Sequence, residues 1–294
     1  MKQLLILSGK GGTGKTTIAS AFIRLSKAEA YADCDVDAPN LHLITKLVSR
    51  PRTRDYYGLP KSEINTEWCT ACDQCRQHCR FGAISTDGKY IVDPFACEGC
   101  GVCELVCPAG AVTLKPAVAG ELMLYKGEGE VFSTAQLKMG SGTSGMLVTE
   151  VKKQMKAAAA DAECAIIDGS PGIGCPVIAS LSGVDMVLLV AEPSISGISD
   201  MERIINTAAK FGVKTAVCIN KFDTNKQITK KIENFCTEQG LAYMGRIPFD
   251  PDAIKAINRG QIIVDMECAS GTAVKSVYEK TMKLLFEEWD GQRS

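Results

Sequence analysis

The chain has 294 residues, of which 46% are hydrophobic, 23% charged and 6% aromatic, with 33 basic side chains against 34 acidic ones. That length supplies one large domain or two smaller ones with ample core, and the composition is too apolar for disorder. The balanced charge argues against a broad electrostatic grip on nucleic acid or anionic membrane. No run approaches the ~18 apolar residues that span a bilayer, and residues 1–8 lack the length and cleavage site of a signal peptide. Neither a nucleic-acid nor a membrane partner is expected.

In chain order, residues 3–7 (QLLIL) come first, a short apolar run of the kind a buried parallel strand carries. Gly9-Lys10-Gly11-Gly12-Thr13-Gly14-Lys15-Thr16-Thr17 follows, then a helical pattern to about residue 27. Strand, glycine-rich loop and helix are the context of a phosphate-binding P-loop. Glycine lets the backbone N–H groups of Gly11 to Thr17 curl around phosphate, and the helix N-terminus adds favourable partial charge. In such a loop Lys15 reaches the β- and γ-phosphates of ATP or ADP, and the Thr16 hydroxyl ligates Mg2+.

Lys10 narrows the match. A second lysine early in the loop, as Lys-Gly-Gly-x-Gly-Lys-Thr, resembles the deviant Walker A loop of the MinD, ParA, ArsA and nitrogenase iron-protein ATPases. The resemblance implies an ATP-dependent homodimer in which Lys10 is a catalytic charge reaching the partner's phosphates; the plain alternative is a solvated loop lysine. Asp33-Cys34-Asp35-Val36-Asp37-Ala38-Pro39-Asn40 looks like that superfamily's switch I, which makes Asp35 the carboxylate that orients the attacking water. Asp33 and Asp37 have simpler readings, a strand-end polar group and a helix N-cap.

Eight of the 14 cysteines come next, as Cys69-x2-Cys72-x2-Cys75-x3-Cys79 and Cys97-x2-Cys100-x2-Cys103-x3-Cys107-Pro108. Each member of the first run recurs 28 residues later, and Gly82-Ala83-Ile84 recurs as Gly110-Ala111-Val112, so the segment is an internal duplication. A tight turn of three cysteines offers three thiolates to one cluster, and the fourth, outside the turn, reaches the other. Cys69, Cys72, Cys75 and Cys107 are therefore assigned to one 4Fe–4S cluster, and Cys97, Cys100, Cys103 and Cys79 to a second. Residues 62–117 here resemble the bacterial two-cluster ferredoxins, with Arg80 standing where that family usually has proline. Structural zinc and disulfides are the competing readings; zinc sites more often show paired Cys-x2-Cys knuckles.

A Gly/Ser-rich stretch at 138–145 reads as a loop, and helical periodicity follows over 145–160. Ala165-Ile166-Ile167-Asp168 is an apolar strand ending in a carboxylate, and Gly169-Ser170-Pro171-Gly172-Ile173-Gly174 is a turn. Together they resemble Walker B and switch II, in which Asp168 holds Mg2+ and the turn senses the γ-phosphate. Met186–Ala191 is the next strand, closed by Glu192-Pro193-Ser194, and Ala216–Ile219 another, closed by Asn220-Lys221-Phe222-Asp223. By the same resemblance Asn220 meets the adenine edge, and the loop carrying Pro248 covers the base. The Asn-Lys-x-Asp string also resembles a guanine motif, against which the Lys10-type loop argues. Further helices are expected over 198–211, 225–239 and 272–289; the last is charge-balanced, unlike the basic membrane-binding helix that ends MinD.

Five of the remaining cysteines (Cys34, Cys164, Cys218, Cys236, Cys268) read as core thiols, and Cys175, beside switch II, stays open between a buried and a redox-active role. Free thiols together with Fe–S ligands suit a reducing cytoplasm. The expected fold is an α/β P-loop NTPase with a mostly parallel sheet, 1–60 and 118–294, interrupted by an α+β ferredoxin-like domain at 61–117. Residues 60–117 carry five basic and seven acidic side chains, which suits a redox or cluster-assembly protein partner with a basic face. The expected function is an ATPase that couples nucleotide state to electron transfer or metallocluster assembly. The alternatives are a MinD/ParA-like positioning ATPase with redox-sensing clusters, and a plain electron carrier with a vestigial nucleotide site.

Overall fold

The structure, a computed structural model, describes residues 1–43, 45, 50–86 and 88–287; the end of the expected last helix, 288–289, lies outside them. Along the chain, β1 (Lys2–Leu7), the glycine loop, α1 (Lys15–Ser26), β2 (Ala30–Asp33) and β3 (Arg52–Tyr57) come first. The duplicated cysteine segment follows as β4 (Lys61–Ile64), α2 (Gln74–Gln77), β5 (Ile84–Thr86), β6 (Tyr90–Val92), α3 (Val102–Leu105) and β7 (Val112–Lys115). Then come β8 (Val118–Lys126), β9 (Val131–Leu137), α4 (Ser144–Ala158), β10 (Cys164–Asp168), α5 (Cys175–Leu181), β11 (Met186–Ala191) and α6 (Ile195–Lys210). The chain closes with β12 (Lys214–Asn220), α7 (Lys226–Glu238), β13 (Ala242–Ile247), α8 (Pro251–Asn258) and α9 (Ala269–Phe286).

Nine strands form one sheet in the order β13-β12-β11-β1-β10-β2-β9-β8-β3. The seven strands from β13 to β9 are mutually parallel, and β8 and β3 extend the edge as antiparallel neighbours. β1 lies near the centre and Leu4 to Leu7 are all fully buried, which is why it reads as an unbroken apolar run. One face of the sheet packs under α4 to α7, with Leu147, Val151, Leu181, Met201 and Ile232 in the core; the other packs under α1 and α9, with Phe22, Val274 and Val277. Both faces are therefore covered, as a parallel sheet requires. Among the described residues, no helix is long and apolar enough to cross a membrane.

Side-chain caps fix three helix starts. Ser194 accepts from the Gly197 N–H at 3.1 Å, Asn225 from Ile228 at 3.1 Å, and the Cys268 sulfur from Gly271 at 3.3 Å. Among the described residues, by contrast, Asp37 caps no helix. It is Asp33 that organises the segment beyond β2, accepting from the N–H groups of Asp35 (3.0 Å), Asn40 (2.9 Å) and Leu41 (3.0 Å).

The cysteine segment stands outside the sheet. It forms two small antiparallel ribbons, β4 with β7 and β5 with β6, so each ribbon pairs one strand from each half of the duplication. The repeat is visible in the backbone: positive φ recurs at Ala71 (56°) and Gly99 (65°), Asp73 (64°) and Gly101 (78°), and Gly82 (62°) and Gly110 (60°).

Candidate functional site

The phosphate loop turns at the carboxyl end of β1. Gly14 caps α1 at φ 90°, and a Cβ there would stand 2.3 Å from Asn220 Nδ2, so sterics and backbone both demand glycine. A cleft of about 430 Å3 opens at the loop, lined by Lys10, residues 11–17, Asp35, Asn220 and Pro248 together with Phe249, Ile254 and Val274. One end is polar and the other is closed by apolar side chains, a shape suited to phosphates at one end and a base at the other.

Asp168 ends β10, adjacent to β1. Its Oδ1 accepts from Lys15 Nζ at 2.5 Å and its Oδ2 from the Thr16 hydroxyl at 2.7 Å. Lys15 is 5% exposed and Asp168 0%, so the pair is a buried ion pair. Asp33 lies beside Asp168 in register on the next strand and is also fully buried. Burial first, and then the Asp168 charge, push the Asp33 carboxyl up to about 7, against the pull of its backbone donors. Asp35, half-buried, is pushed up to about 6, mainly by burial, with the Lys15 charge pulling it down. Lys15, Thr16 and Asp35 thus line the cleft, with Asp168 buried behind the first two and Asp33 beside it, a charge set suited to a divalent cation and phosphate.

Two side chains that motif reading passed over hold the loop. Lys221 Nζ donates to the Gly12 carbonyl at 2.8 Å, beside the Asn220 Nδ2 bond to the Thr13 carbonyl at 2.6 Å. Glu192 Oε2 lies 2.9 Å from Lys10 Nζ and its Oε1 3.5 Å from Lys221 Nζ, while Lys10 also donates to Ser194 Oγ at 3.2 Å. Burial would raise the Glu192 carboxyl, but these two lysines outweigh it and hold it below the usual range. Both residues sit at the carboxyl ends of β11 and β12, where open α/β sheets present their sites. Only the strand order, with β11 next to β1, reveals their reach. Switch II is seated on the same framework: the Ser170 hydroxyl donates to the Cys34 carbonyl at 2.6 Å and Gly172 N–H to the Ser8 carbonyl at 3.0 Å.

The eight clustered cysteines line two small chambers. One has Cys69, Cys72, Cys75 and Cys107 in its wall, and the other Cys97, Cys100, Cys103 and Cys79. Each takes three sulfurs from one half of the duplication and one from the other. Polar hydrogens approach the sulfur atoms: Ala111 N–H donates to Cys107 Sγ at 3.3 Å, and Ser62 Oγ lies 3.0 Å from Cys103 Sγ. None of the 14 cysteines is paired in a disulfide, so no such bond staples the segment. Among the described residues, no three His, Cys, Asp or Glu side chains converge on a point that one metal ion could occupy. The quartets surround chambers instead, a donor set that fits a polynuclear cluster better than a single tetrahedral zinc.

Of the other six cysteines, Cys34, Cys218 and Cys236 are buried in the core as expected. Cys164 and Cys268 are only half-buried, the latter with its sulfur capping α9, and Cys175 is exposed at the start of α5.

Comparison with known proteins agrees with this architecture. An uncharacterized protein of Methanocaldococcus jannaschii is 33% identical over 287 residues, 96% of this chain and 97% of its own. An uncharacterized ferredoxin of the same organism is 31% identical over 87 residues, 29% of this chain and 54% of its own. The septum site-determining protein MinD of Pyrococcus horikoshii, solved as a complex with Mg-ADP, superposes with a TM-score of 0.58 over 97% of both chains, and at 17% identity this likeness speaks for the fold. Residues 4–264 match the family model described as the CobQ/CobB/MinD/ParA nucleotide binding domain, and the chain belongs to that family.

Proposed function

We propose that the chain is an ATP-binding and ATP-hydrolysing iron–sulfur protein that couples its nucleotide state to electron transfer or metallocluster assembly. The observation that carries this reading is the division of eight cysteines, three and one, between two chambers in a chain that also holds a complete phosphate cleft. Residues 61–117 act as an inserted electron-transfer unit, and 1–60 with 118–294 as the ATPase. Two 4Fe–4S clusters would be held by the two quartets, and each would take up or release one electron.

In the cleft, the N–H groups of residues 11–17 and the Lys15 ammonium bind the phosphates. Thr16 and Asp168 would hold Mg2+, which would neutralise phosphate charge. Asp35 orients a water molecule onto the γ-phosphorus; the new P–O bond forms as the bond to the β–γ bridging oxygen breaks, leaving ADP and phosphate. ATP closes a homodimer in which Lys10 leaves Glu192 and reaches the partner's phosphates. Adenine is favoured over guanine on chemical grounds. A carboxylate recognises guanine through its adjacent N–H donors. Asp223 is absent from the cleft wall and accepts from Phe249 N–H at 2.7 Å; Asp250, in the wall, has its oxygens occupied by the N–H groups of Asp252 (2.9 Å) and Ser270 (3.0 Å).

The test is anaerobic. Isolated protein is expected to carry about eight irons per chain, two cubanes' worth, to hydrolyse ATP with Mg2+, and to change its rate or potential of cluster reduction when ATP is added. Protein without iron, or with reduction indifferent to nucleotide, overturns the reading.

A further inference from the structure

We infer that the two cysteine chambers are not equivalent: the one lined by Cys79, Cys97, Cys100 and Cys103 responds to nucleotide, through the segment 136–145, and the one lined by Cys69, Cys72, Cys75 and Cys107 does not. The inference rests on the two-cluster reading above and adds which cluster is coupled and by what route.

The first observation is where the insert touches the ATPase. Among the described residues, no hydrogen bond or ion pair joins 61–117 to 1–57 or 118–287, so packing and the two chain connections hold the insert in place. That packing falls on the Cys97 loop. Phe95 and Glu98 stand against the glycines that precede α4: a Cβ on Gly140 would lie 3.2 Å from the Phe95 ring, and one on Gly142 3.3 Å from Glu98 Oε2. The same loop leans on the stem of the insert. Lys61 Nζ donates to the Cys97 carbonyl, and a Cβ on Gly99 would meet the Pro60 carbonyl oxygen at 2.1 Å. Glu98 also lines the Cys97 chamber, so its carboxylate feels any change of charge there. The wall of the other chamber is built from Ile64, Thr70, Asp73, Tyr90, Ala111 and Val112 besides its cysteines, none of which stands against Gly140 or Gly142.

The second observation is where that segment leads. At its start, Leu137 N–H donates to the Val36 carbonyl at 2.9 Å, next to Asp35. At its end, a Cβ on Gly145 would lie 3.1 Å from the Cys175 carbonyl oxygen, at the first residue of α5 after the switch II turn. α4 grips the far end of α5 as well, since Lys152 Nζ donates to the carbonyls of Ser180 (2.5 Å) and Ser182 (2.6 Å). A shift of α4 therefore carries α5 with it. One stretch of ten residues touches the Cys97 loop in its middle, the Asp35 loop at one end and switch II at the other.

The third observation is that the joint is not packed to satisfaction. Thr143, at the start of α4, and Tyr56, on the strand leading to the insert, bury their hydroxyl oxygens without a hydrogen-bond partner. Buried polar groups left unpaired mark places whose packing is not optimal in this one arrangement. Gly140, at φ 79°, supplies the backbone freedom for another. A two-position joint is what coupling between the Asp35 and switch II loops and the Cys97 loop requires.

The test uses the anaerobic, fully loaded protein and resolves the two clusters spectroscopically. Cys72 and Cys100 are equivalent, exposed cysteines of the two quartets, so Cys72→Ser and Cys100→Ser each mark one cluster by altering its electron paramagnetic resonance signal. A non-hydrolysable ATP analogue with Mg2+ is expected to shift the potential or line shape of the signal marked by Cys100→Ser and to leave the one marked by Cys72→Ser in place. Hydrogen exchange in 138–146 is expected to slow with the analogue, while that in 69–79 stays unchanged. Phe95→Ala, at a residue 72% exposed, and Gly142→Ala, whose Cβ would meet the end of Glu98, are expected to abolish the nucleotide-dependent shift with iron content and ATP hydrolysis unchanged. Equal shifts of both clusters, a shift confined to the Cys72 cluster, or a full shift in both variants overturns this inference and leaves the two-cluster reading standing. Protein without iron, or a loaded protein in which neither cluster answers to nucleotide, overturns both.

Discussion

The phosphate cleft and the cysteine insert are built in opposite ways. The cleft draws residues from Ser8 to Val274 and depends on a nine-stranded sheet to bring them together. Its parts already hold one another: Lys15 with Asp168, Asn220 with Thr13, Lys221 with Gly12. The insert draws its eight cysteines from one short duplicated stretch, and its packed apolar cluster has four buried members, Cys75, Ile84, Cys103 and Val112. Two of those four are themselves members of the quartets. A region with so little apolar core needs something besides burial to fold, and metal ligation is the usual answer in units of this size. The cleft is thus organised before a ligand arrives, and on the two-cluster reading proposed above the insert is organised by its ligand.

Iron removal should separate the two regions most sharply. Anaerobic chelation is expected to strip hydrogen-exchange protection from 61–117 almost completely while β1, β10, β11 and β12 keep theirs. Retained protection across the insert in iron-free protein would break the comparison.

The next largest effect belongs to the cleft. Lys15→Ala leaves Asp168 and Asp33 buried side by side without their cation, a loss of about 3–5 kcal/mol on the scale of broken buried pairs. The sign of its pH dependence follows from Asp33. Its carboxyl, raised to about 7 by burial and by Asp168, favours the fold fully below the unfolded value near 4 and loses that contribution as pH rises through 7. Removing Lys15 takes away a charge that pulls the Asp33 carboxyl down, so the deficit of the variant in thermal melting should be smaller at pH 5 than at pH 8. A deficit independent of pH would mean that the lysine contributes by packing alone. Nucleotide binding should fall more than 100-fold at either pH, on the order of 3 kcal/mol.

These contrasts explain what was legible in the sequence. The parallel sheet announced itself because β1, β10 and β11 are buried on both faces and spell continuous apolar runs. β3 (RTRDYY) was silent because it is an edge strand with five of its six residues exposed, and charged edges are how sheets avoid pairing with strangers. No strand was expected at β8 or β9 either. The grouping of the cysteines, though not their ligation, could be read from spacing because it is local. The reach of Glu192 to Lys10 and of Lys221 to Gly12 could not, because both depend on which strand neighbours β1. Cys268 looked like a core thiol from its neighbours and proved to be a helix cap, since a cap is a matter of backbone geometry and not of apolar context.

Within the insert, the two halves can be set against each other. The second half places Gly99 where the first places Ala71, both at positive φ. Gly99→Ala would drive a methyl into the Pro60 carbonyl and is expected to destabilise the cluster-bearing fold by roughly 2–3 kcal/mol. Ala71→Gly relieves a left-handed alanine, about 1–2 kcal/mol, at the cost of about 0.5–1 kcal/mol of chain entropy, and should slow cluster loss slightly. If both substitutions accelerate cluster loss, the halves are not conformational equivalents.

The smallest effect tests how far the cleft is organised in advance. Lys10, more than a third exposed, is held in its own subunit by Glu192 at 2.9 Å. So exposed a pair is worth about 0.2–1 kcal/mol. Glu192→Gln should therefore lower the ATP concentration needed for dimerisation by about 1.5- to 5-fold, because Lys10 no longer has to leave a charged partner. Sedimentation against ATP concentration reads this directly, and Lys10→Ala in the same background should cancel the gain. Glu192 also lies near Lys221, which bonds the Gly12 carbonyl. If loop support is its main task, the variant will instead weaken nucleotide binding to the single subunit and leave dimerisation unimproved. The two outcomes differ in sign, so even a twofold change decides whether Glu192 restrains Lys10 or props the phosphate loop.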